Sequence, residues 1–299
     1  MNRHREMTVF QAVAEDLSLA AAARRLQLSV ATVTRAIDTL ESRLGISLLA
    51  RHARGVSLTE AGIRFADDCR RILAQVAEAQ ESAIGLHAQP RGRLHVAMPL
   101  LFGQELLTPI LLDYLAGHPA VHVVARDFEH CPSLHEVGID VAIQIGTLPD
   151  SSLFALTVGS VRRVVCASTA YLQAHGEPNR PEEIRNHRII HASADARLTE
   201  WRFSDQGKQR NVGFRPHLIC TTHQAAIAAA SRHAGITRCL SYQIHGHVAQ
   251  GQLRAVLQRY ELPSYPVHIV YREGRRASAR VRSFVDFVVC RLRDHPALR

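Results

Sequence analysis

Lysine is almost missing from this chain: Lys208 is the single lysine among 36 basic residues. Aromatic residues make up only 5% and tryptophan occurs once, at Trp201. No apolar stretch approaches the roughly 18 uncharged residues that a spanning helix needs. The longest uncharged stretch, Pro216 to Ser231, is interrupted by two histidines. The amino terminus opens on Arg3, Arg5 and Glu6, with no apolar segment followed by a small-residue cleavage site, so a cytoplasmic protein without a secretory signal is expected. The six cysteines, at 69, 131, 166, 220, 239 and 290, contain no Cys-x-x-Cys pair and are expected to be reduced, partly buried thiols. Gly-x-Ser-x-Gly, Gly-x-x-x-x-Gly-Lys and His-Glu-x-x-His are all absent, which removes the usual motif-bearing hydrolases, phosphate-loop enzymes and zinc proteases.

What is present fits about two folded domains: 299 residues, 46% apolar, with a mean hydropathy of −0.06. The net charge of +9 suggests an anionic partner, but residues 1–90 hold 11 arginines against 10 acids, and most of the excess lies later. The arginine bias itself is what a GC-rich genome produces. Placement, not total charge, has to decide.

The first 90 residues read as helical. A helix over about 3–14 gathers Val9, Phe10 and Val13 on one face. Ser18 can cap an alanine-rich helix to Leu26, and Ser29 a third helix with Val33, Ile37, Leu40 and Leu44 on its apolar side, ended by Gly45. Residues 46–58 are β-like and basic, with Arg51 and Arg54 flanking a tight turn at Gly55. A long helix follows from Thr59 to about His87. Its apolar residues, Phe65, Cys69, Ile72, Val76, Ala79, Ala83 and Leu86, alternate steps of 4 and 3 as a heptad seam does. The alternative is a long amphipathic helix packed on its own domain; the linker-like Gln89-Pro90-Arg91-Gly92 favours pairing.

Beyond Gly92, short strands alternate with helices. Strands are expected at Leu94–Met98, Val121–Phe128, Val141–Ile145, Val161–Ala167, Arg188–His191, Leu218–Thr221 and Val267–Tyr271. Helices are expected after Leu106, near Thr222–His233 and over Ser278–Arg293, the last packing back on the first lobe.

Residues 18–44 form a helix–turn–helix whose second helix turns Val30, Ala31, Thr32, Thr34 and Arg35 outward. Small and polar residues at a helix amino end admit it to a major groove about 12 Å wide, and threonine and arginine supply phosphate and base-edge contacts. An ordinary three-helix bundle is the competing reading, and each arginine alone could be a solvated surface charge.

The segments Phe10-Gln-Ala-Val-Ala, Leu17-Ser-Leu-Ala-Ala-Ala-Ala-Arg-Arg-Leu26, Val33-Thr34-Arg35-Ala36-Ile37, Leu44-Gly45 and Leu58-Thr59-Glu-Ala-Gly62 closely resemble the amino-terminal domain of LysR-type transcriptional regulators. Val137-Gly138-Ile-Asp140 through Ser151-Ser-Leu153, Ala170-Tyr171-Leu172, Gly235-Ile-Thr-Arg238 and Val281-Arg282-Ser-Phe284 resemble the family's effector-binding domain. The resemblance covers essentially the whole chain. It implies an α/β protein with an N-terminal all-α part: a winged helix–turn–helix, a long coiled-coil linker helix and a two-lobed, type II periplasmic-binding-protein-like effector domain. The expected boundaries are 1–60, 61–90 and 91–299, with lobe 1 at about 91–162 plus 267–299 and lobe 2 at about 163–266.

Function is then expected to be transcription regulation rather than catalysis. The partners implied are double-stranded DNA, a small-molecule effector, a second copy through 61–90, a tetramer of two dimers and RNA polymerase, with no membrane and no cofactor. DNA contacts fall on Ser29, Val30, Ala31, Thr32, Thr34, Arg35, Arg51 and Arg54. Val30 stands where the family commonly has glutamine and Thr34 where it has serine, so the adenine-reading amide is replaced by a methyl-bearing side chain. Effector contacts are expected at Pro99, Leu100, Leu101, Phe102, Gly146, Thr147, Trp201, Phe203, Thr221 and Thr222. Leu101 occupies the place of a family hydroxyl that can hold a carboxylate, which points to a partly apolar or aromatic effector, or one held mainly by lobe 2. Leu100, Leu101 and Phe102 read equally well as core. His217, Cys220 and His223, or His245 and His247, lack the spacing of a closed zinc site, so no metal is expected. Two other readings remain: a solute-binding or enzymatic α/β module oligomerised by its first helices, and a constitutive DNA-binding protein without an effector.

Overall fold

Serine caps and left-handed turns set the first helices. In the computed structural model, which describes residues 3–52, 55–84, 89–128, 138–148, 153–193, 199–272 and 277–299, α1 (Arg3–Asp16) is followed by α2 (Leu19–Leu26) and α3 (Val30–Leu44). Ser18 Oγ accepts from the Ala21 N–H at 3.2 Å and Ser29 Oγ from the Thr32 N–H at 3.1 Å, each satisfying an otherwise orphaned donor. α3 stops at Gly45, whose φ of +70° costs glycine nothing. The three helices close on Phe10, Val13, Ala22, Val33, Ile37 and Leu40, all buried. The alternation of 4 and 3 in α3 therefore faces inward as the periodicity predicts.

The wing is a two-stranded antiparallel ribbon, β1 (Leu49–His52) and β2 (Gly55–Leu58), with Leu49 opposite Leu58. It is fixed to α3 by Glu41, whose carboxylate accepts from the backbone N–H groups of Leu48 (2.6 Å) and Leu49 (2.9 Å). Thr59 then starts α4 (Glu60–Ile84): its Oγ1 accepts from the Gly62 N–H at 3.0 Å and donates to the Ser47 carbonyl at 2.8 Å. Gly62 has to be glycine, because a Cβ there would sit 2.0 Å from the Leu48 carbonyl oxygen. The beginning of the heptad seam is used inside this unit. Cys69 is buried in its core and Phe65 packs on Phe10 at 5.3 Å, whereas Ile72 is 41% exposed. Leu86 and the Gly55 turn partner Arg54 lie outside the described residues.

The chain divides into two compact units, Met1–Ala88 and Gln89–Arg299. In the second, β3 (Gly92–Pro99) leads into α5 (Leu100–Phe102), a π-helical turn (Gly103–Leu107) and α6 (Thr108–Gly117). β4 (Val121–Phe128) and β5 (Val141–Ile145) flank β3 in parallel. β6 (Phe154–Val161) closes the far edge, next to the late strand β14 (Tyr265–Tyr271), giving the order β4-β3-β5-β14-β6. Alternation along β3 divides the core. Leu94, Val96 and Met98 pack with Leu107, Tyr114 and the C-terminal helix residues Phe284 and Val288, while Ala97 joins Ala142 and Val270 on the other face.

The second lobe is entered at β7 (Arg163–Ser168), followed by α7 (Thr169–His175), β8 (Ile189–Ala192), the hairpin β9 (Glu200–Asp205) and β10 (Lys208–Gly213), β11 (Pro216–Cys220) and α8 (His223–Ser231). β12 (Thr237–Leu240), α9 (His245–Ala249) and β13 (Leu253–Val256) complete it, before β14 and α10 (Ala279–Arg293) return to the first lobe. β7 lies between β12 and β13, antiparallel to both, and β8 pairs parallel with β11 and makes a parallel bridge from Ile189 to Ile236, the residue before β12. One face of β7 buries Val165 and Ala167 with Tyr171, Trp201 and Phe203; the other buries Val164 and Cys166 against Ala226 and Ile227 of α8.

The expected strand at Val161–Ala167 needs correction. It is two strands in different sheets, β6 ending at Val161 and β7 starting at Arg163, because this is one crossing between lobes. The β9–β10 hairpin, β12 and β13 add strands beyond those expected from the sequence. The return of α10 to the first lobe agrees with the expectation.

Candidate functional site

In the first unit, the helix face expected to meet DNA is bare of apolar cover. Ser29, Ala31 and Arg35 are exposed, Val30 is 47% exposed, and Thr32 and Thr34 are half-buried, while Val33 between them is fully buried. The first turn of α3 carries no acidic side chain to offset the positive helix end. Thr32 Oγ1 lies 2.8 Å from Ser29 Oγ, so both hydroxyls already stand together at that end. Arg35 Nε donates to the Ala31 carbonyl at 3.3 Å, and Arg35 has no carboxylate partner among the described residues. Arg51 is different: its guanidinium reaches from the wing to Asp38 on α3, 2.5 Å away. Arg54 lies outside the described residues. Two other arginines of this unit are structural. Arg43 pairs with the buried Glu6 at 2.9 Å, joining α3 to α1, and Arg25 holds Glu15 and Asp16.

In the second unit, the positions expected to line a cleft have divided fates. Pro99 is half-buried, Leu100 is 37% exposed, and Leu101 is half-buried and packs against the cores of both lobes. Thr147, Thr221 and Thr222 are exposed; Thr222 Oγ1 accepts from the Ala225 N–H at 3.2 Å and caps α8. Gly146 turns at φ +105° and donates to the Pro266 carbonyl at 2.8 Å, beside Tyr265. Three positions are core. Phe102 is fully buried against Tyr242, and Trp201 and Phe203 are 1% and 3% exposed under the β9–β10 hairpin, because alternation along β9 points them inward. A ligand could touch these rings only if that packing opened.

The structure adds residues that sequence reasoning passed over. Arg163 and Arg238 lie on the same face of β7 and β12: Arg163 is opposite Leu240 and Arg238 opposite Val165, which makes them diagonal neighbours. Arg163 stacks on the Tyr265 ring at 5.2 Å and Arg238 on the Trp201 ring at 5.2 Å. Burial pushes the Arg238 guanidinium down to about 9, and the charges of Arg163 and Arg202 act in the same direction against a smaller opposing effect of Tyr265. His223, at the start of α8, is likewise held below its ordinary value by desolvation, then by Arg163, Arg238 and His191, against a hydrogen bond to the Arg238 backbone. The overlooked signal was an arginine at the start of each of two short apolar strands, first in β7 and second in β12. A separate, larger hollow of about 600 Å³ lies between Leu101 and Glu105 on one side and Gln224, Ile227 and Gln243 on the other.

Among the described residues no group of three or more histidine, cysteine or acidic side chains is placed to hold a metal ion. Cys69, Cys166, Cys220, Cys239 and Cys290 are free thiols, with Cys166 and Cys239 Sγ 3.9 Å apart, and burial raises Cys69 to about 11. No helix among these residues is long and apolar enough to cross a membrane.

Residues 4–63 match the profile of the bacterial regulatory helix-turn-helix protein, lysR family, and residues 87–293 that of the LysR substrate binding domain. The chain belongs to the LysR family. As a LysR-type transcriptional regulator it combines a DNA-binding helix–turn–helix with a two-lobed effector-binding domain, in a family that is not enzymatic. It is 34% identical to an HTH-type transcriptional regulator of Xanthomonas campestris pv. campestris, over 95% of this chain and 84% of that one. It is 28% identical to the HTH-type transcriptional activator AaeR of Escherichia coli, over 96% and 93% of the two chains. Among solved structures it resembles CrgA of Neisseria meningitidis, with a TM-score of 0.62 at 29% identity over 98% of this chain and 99% of that one. It also resembles full-length AphB of Vibrio cholerae, with a TM-score of 0.61 at 27% identity over 97% and 99%.

Proposed function

We propose that this LysR-type regulator binds an inverted-repeat operator as a dimer or a dimer of dimers, reading it with Ser29, Val30, Ala31, Thr32, Thr34 and Arg35 while Arg51 and Arg54 of the wing take backbone phosphates. The observation that carries this reading is Arg35. It is exposed, lacks a carboxylate partner among the described residues, and stands on a helix whose first turn has no acid. Val30 beside it offers methyl groups suited to a thymine methyl rather than the paired hydrogen bonds of an amide. Arg51 has to exchange Asp38 for a phosphate on binding, a swap between two exposed partners that costs little.

The functional division follows: DNA binding in 1–60, pairing through 61–90, and effector binding in 91–299. Pairing uses the seam of α4 beyond Cys69, where Ile72 leaves the local core exposed. The effector lies between lobe 1 (about 91–162 plus 267–299) and lobe 2 (about 163–266), against Leu100, Leu101, Gly146, Thr147, Thr221 and Thr222. It acts by binding one arrangement of the lobes better than another, which alters the geometry of the paired copies, the bend of the DNA and the access of RNA polymerase.

The test of the DNA reading is the affinity of the full-length protein for the duplex upstream of its own gene. Tight binding that weakens as salt rises and is reduced by Arg35→Ala supports it; failure to bind either that duplex or random DNA at low salt overturns it. The effector reading is tested by thermal stabilisation in a small-molecule screen together with a change in operator affinity.

A further inference from the structure

We infer that Arg185, His187 and Arg215 form a separate binding site within the second lobe for a small phosphate monoester. The site goes beyond the effector reading. It shares no residue with the expected effector positions or with the hollow beside Leu101. The three side chains border an open hollow of about 400 Å³, and no acid lines it. Its walls come from the turn Pro181–Asn186, the start of β8 and the connection from β10 to β11. These segments are pinned: the Phe214 N–H donates to the Thr199 carbonyl at 2.8 Å, and Pro216 pairs with Ile189 at the start of the β8–β11 ladder.

Residues 163–266 hold 13 basic side chains against 7 acids, so most of the chain's excess charge of +9 lies in this lobe. Arg210 and Arg254 are neutralised locally, by Glu182 with Asp205 and by Glu177. Arg185 and Arg215 are not: both are exposed and neither has a carboxylate partner among the described residues. Arg185 Nε donates to the Gly213 carbonyl at 3.0 Å, which holds its fork at the rim with both terminal nitrogens uncommitted. The acids beside it in sequence are engaged elsewhere, Glu182 by Arg210 at 3.2 Å and Glu183 by the Asn179 N–H at 2.7 Å.

His187 supplies a third donor. The Arg188 N–H donates to Tyr171 Oη at 3.0 Å, and that hydroxyl stands 3.4 Å from His187 Nδ1. The hydroxyl hydrogen is thereby assigned to Nδ1, which leaves the imidazole proton on Nε2. Desolvation, then the charge of His175, holds His187 below the ordinary histidine value against a smaller opposing effect of Glu183, so the ring is uncharged at neutral pH and Nε2–H is a donor. One guanidinium fork satisfies a planar carboxylate, whereas donors from three side chains around a hollow suit the oxygens of a tetrahedral phosphoryl group. The volume exceeds that of one phosphate, and Phe214, backed by the buried Ile184 and Ile189, gives the organic body of a monoester an apolar floor.

The experiment titrates the full-length protein, free of DNA, with adenosine monophosphate and glucose 6-phosphate, their uncharged parents adenosine and glucose, and inorganic phosphate, reading heat of binding and thermal stabilisation. At least one monoester is expected to bind and stabilise, more tightly than inorganic phosphate, and its parent not. Arg185→Gln and Arg215→Gln are each expected to weaken that monoester about tenfold or more. Both positions are exposed, so the ligand-free melting temperature should hold. Arg215→Lys keeps the charge but not the fork and should fall between. Arg126→Gln, an exposed arginine of β4 outside the site, should leave the affinity unchanged. No monoester binding at millimolar concentration, a parent bound as tightly as its monoester, or affinity unchanged in both glutamine variants overturns the inference. An equal loss in Arg126→Gln reduces the effect to general charge and overturns it too. Monoester binding abolished by Arg35→Ala but kept in both glutamine variants places the ligand on the DNA face instead. Glutamine variants that weaken operator binding, in a protein that binds neither monoester, assign the surface to nucleic acid and overturn the small-molecule site.

Discussion

At the scale of single residues, the contrast between Arg35 and Arg51 organises the DNA face. One is uncommitted to any carboxylate among the described residues; the other is held by Asp38. Asp38→Asn should therefore free Arg51 and remove a charge that repels phosphate, raising operator affinity several-fold with a steeper salt dependence, as measured by fluorescence anisotropy. Fold stability should change little, since the pair is exposed on both sides. Histidine sets the acid limit. His187, His223 and His295 are all held below the ordinary histidine value, in each case first by desolvation. The unfolded chain then binds more protons than the native one below about pH 6.5. Stability is fully present above that value and falls as pH drops through the window down to the native pKa values. Melting temperatures between pH 7.5 and 5.5 should decline, and His223→Gln should flatten part of the slope; a protein equally stable at both ends would contradict this.

At the scale of elements, the joint between wing and linker helix is the most demanding piece of geometry. Gly62→Ala forces a methyl into the Leu48 carbonyl and should cost about 3 kcal/mol in chemical denaturation, or displace the wing. Ile72, one step beyond Cys69 on the seam of α4, is exposed rather than packed in the local core, and Ile72→Glu should shift the sedimenting species from an oligomer towards monomer without unfolding the first unit. Elements with serine caps, α2 and α3, or with unbroken periodicity, α1, α4, β3 and α10, are legible directly in the chain. The hairpin strand Lys208–Gly213 is not, because its residues are polar and exposed apart from Val212. β12 and β13 were hidden for another reason: four residues each, with an arginine inside, carry too little alternation. The site divides in the same way. The outward face of α3 follows from its own spacing, whereas Arg163 and Arg238 are brought together only by strand pairing between distant segments, and Trp201 and Phe203, taken as cleft residues from their segment, are turned inward by alternation along β9.

At the scale of the whole molecule, a DNA-binding unit and an effector unit share one chain, and regulation requires that an event in the second change the affinity of the first. That coupling has meaning only if the first unit binds DNA by the face assigned to it. The decisive measurement is operator affinity across a range of salt for the intact protein and for Arg35→Ala. The account predicts a linear fall of log affinity with log salt, at about 0.9 per phosphate neutralised, with the variant weaker and its slope shallower by about one phosphate if Arg35 contacts the backbone. Affinity and slope identical in the two proteins would contradict it, and would place the DNA contact somewhere other than the exposed face of α3.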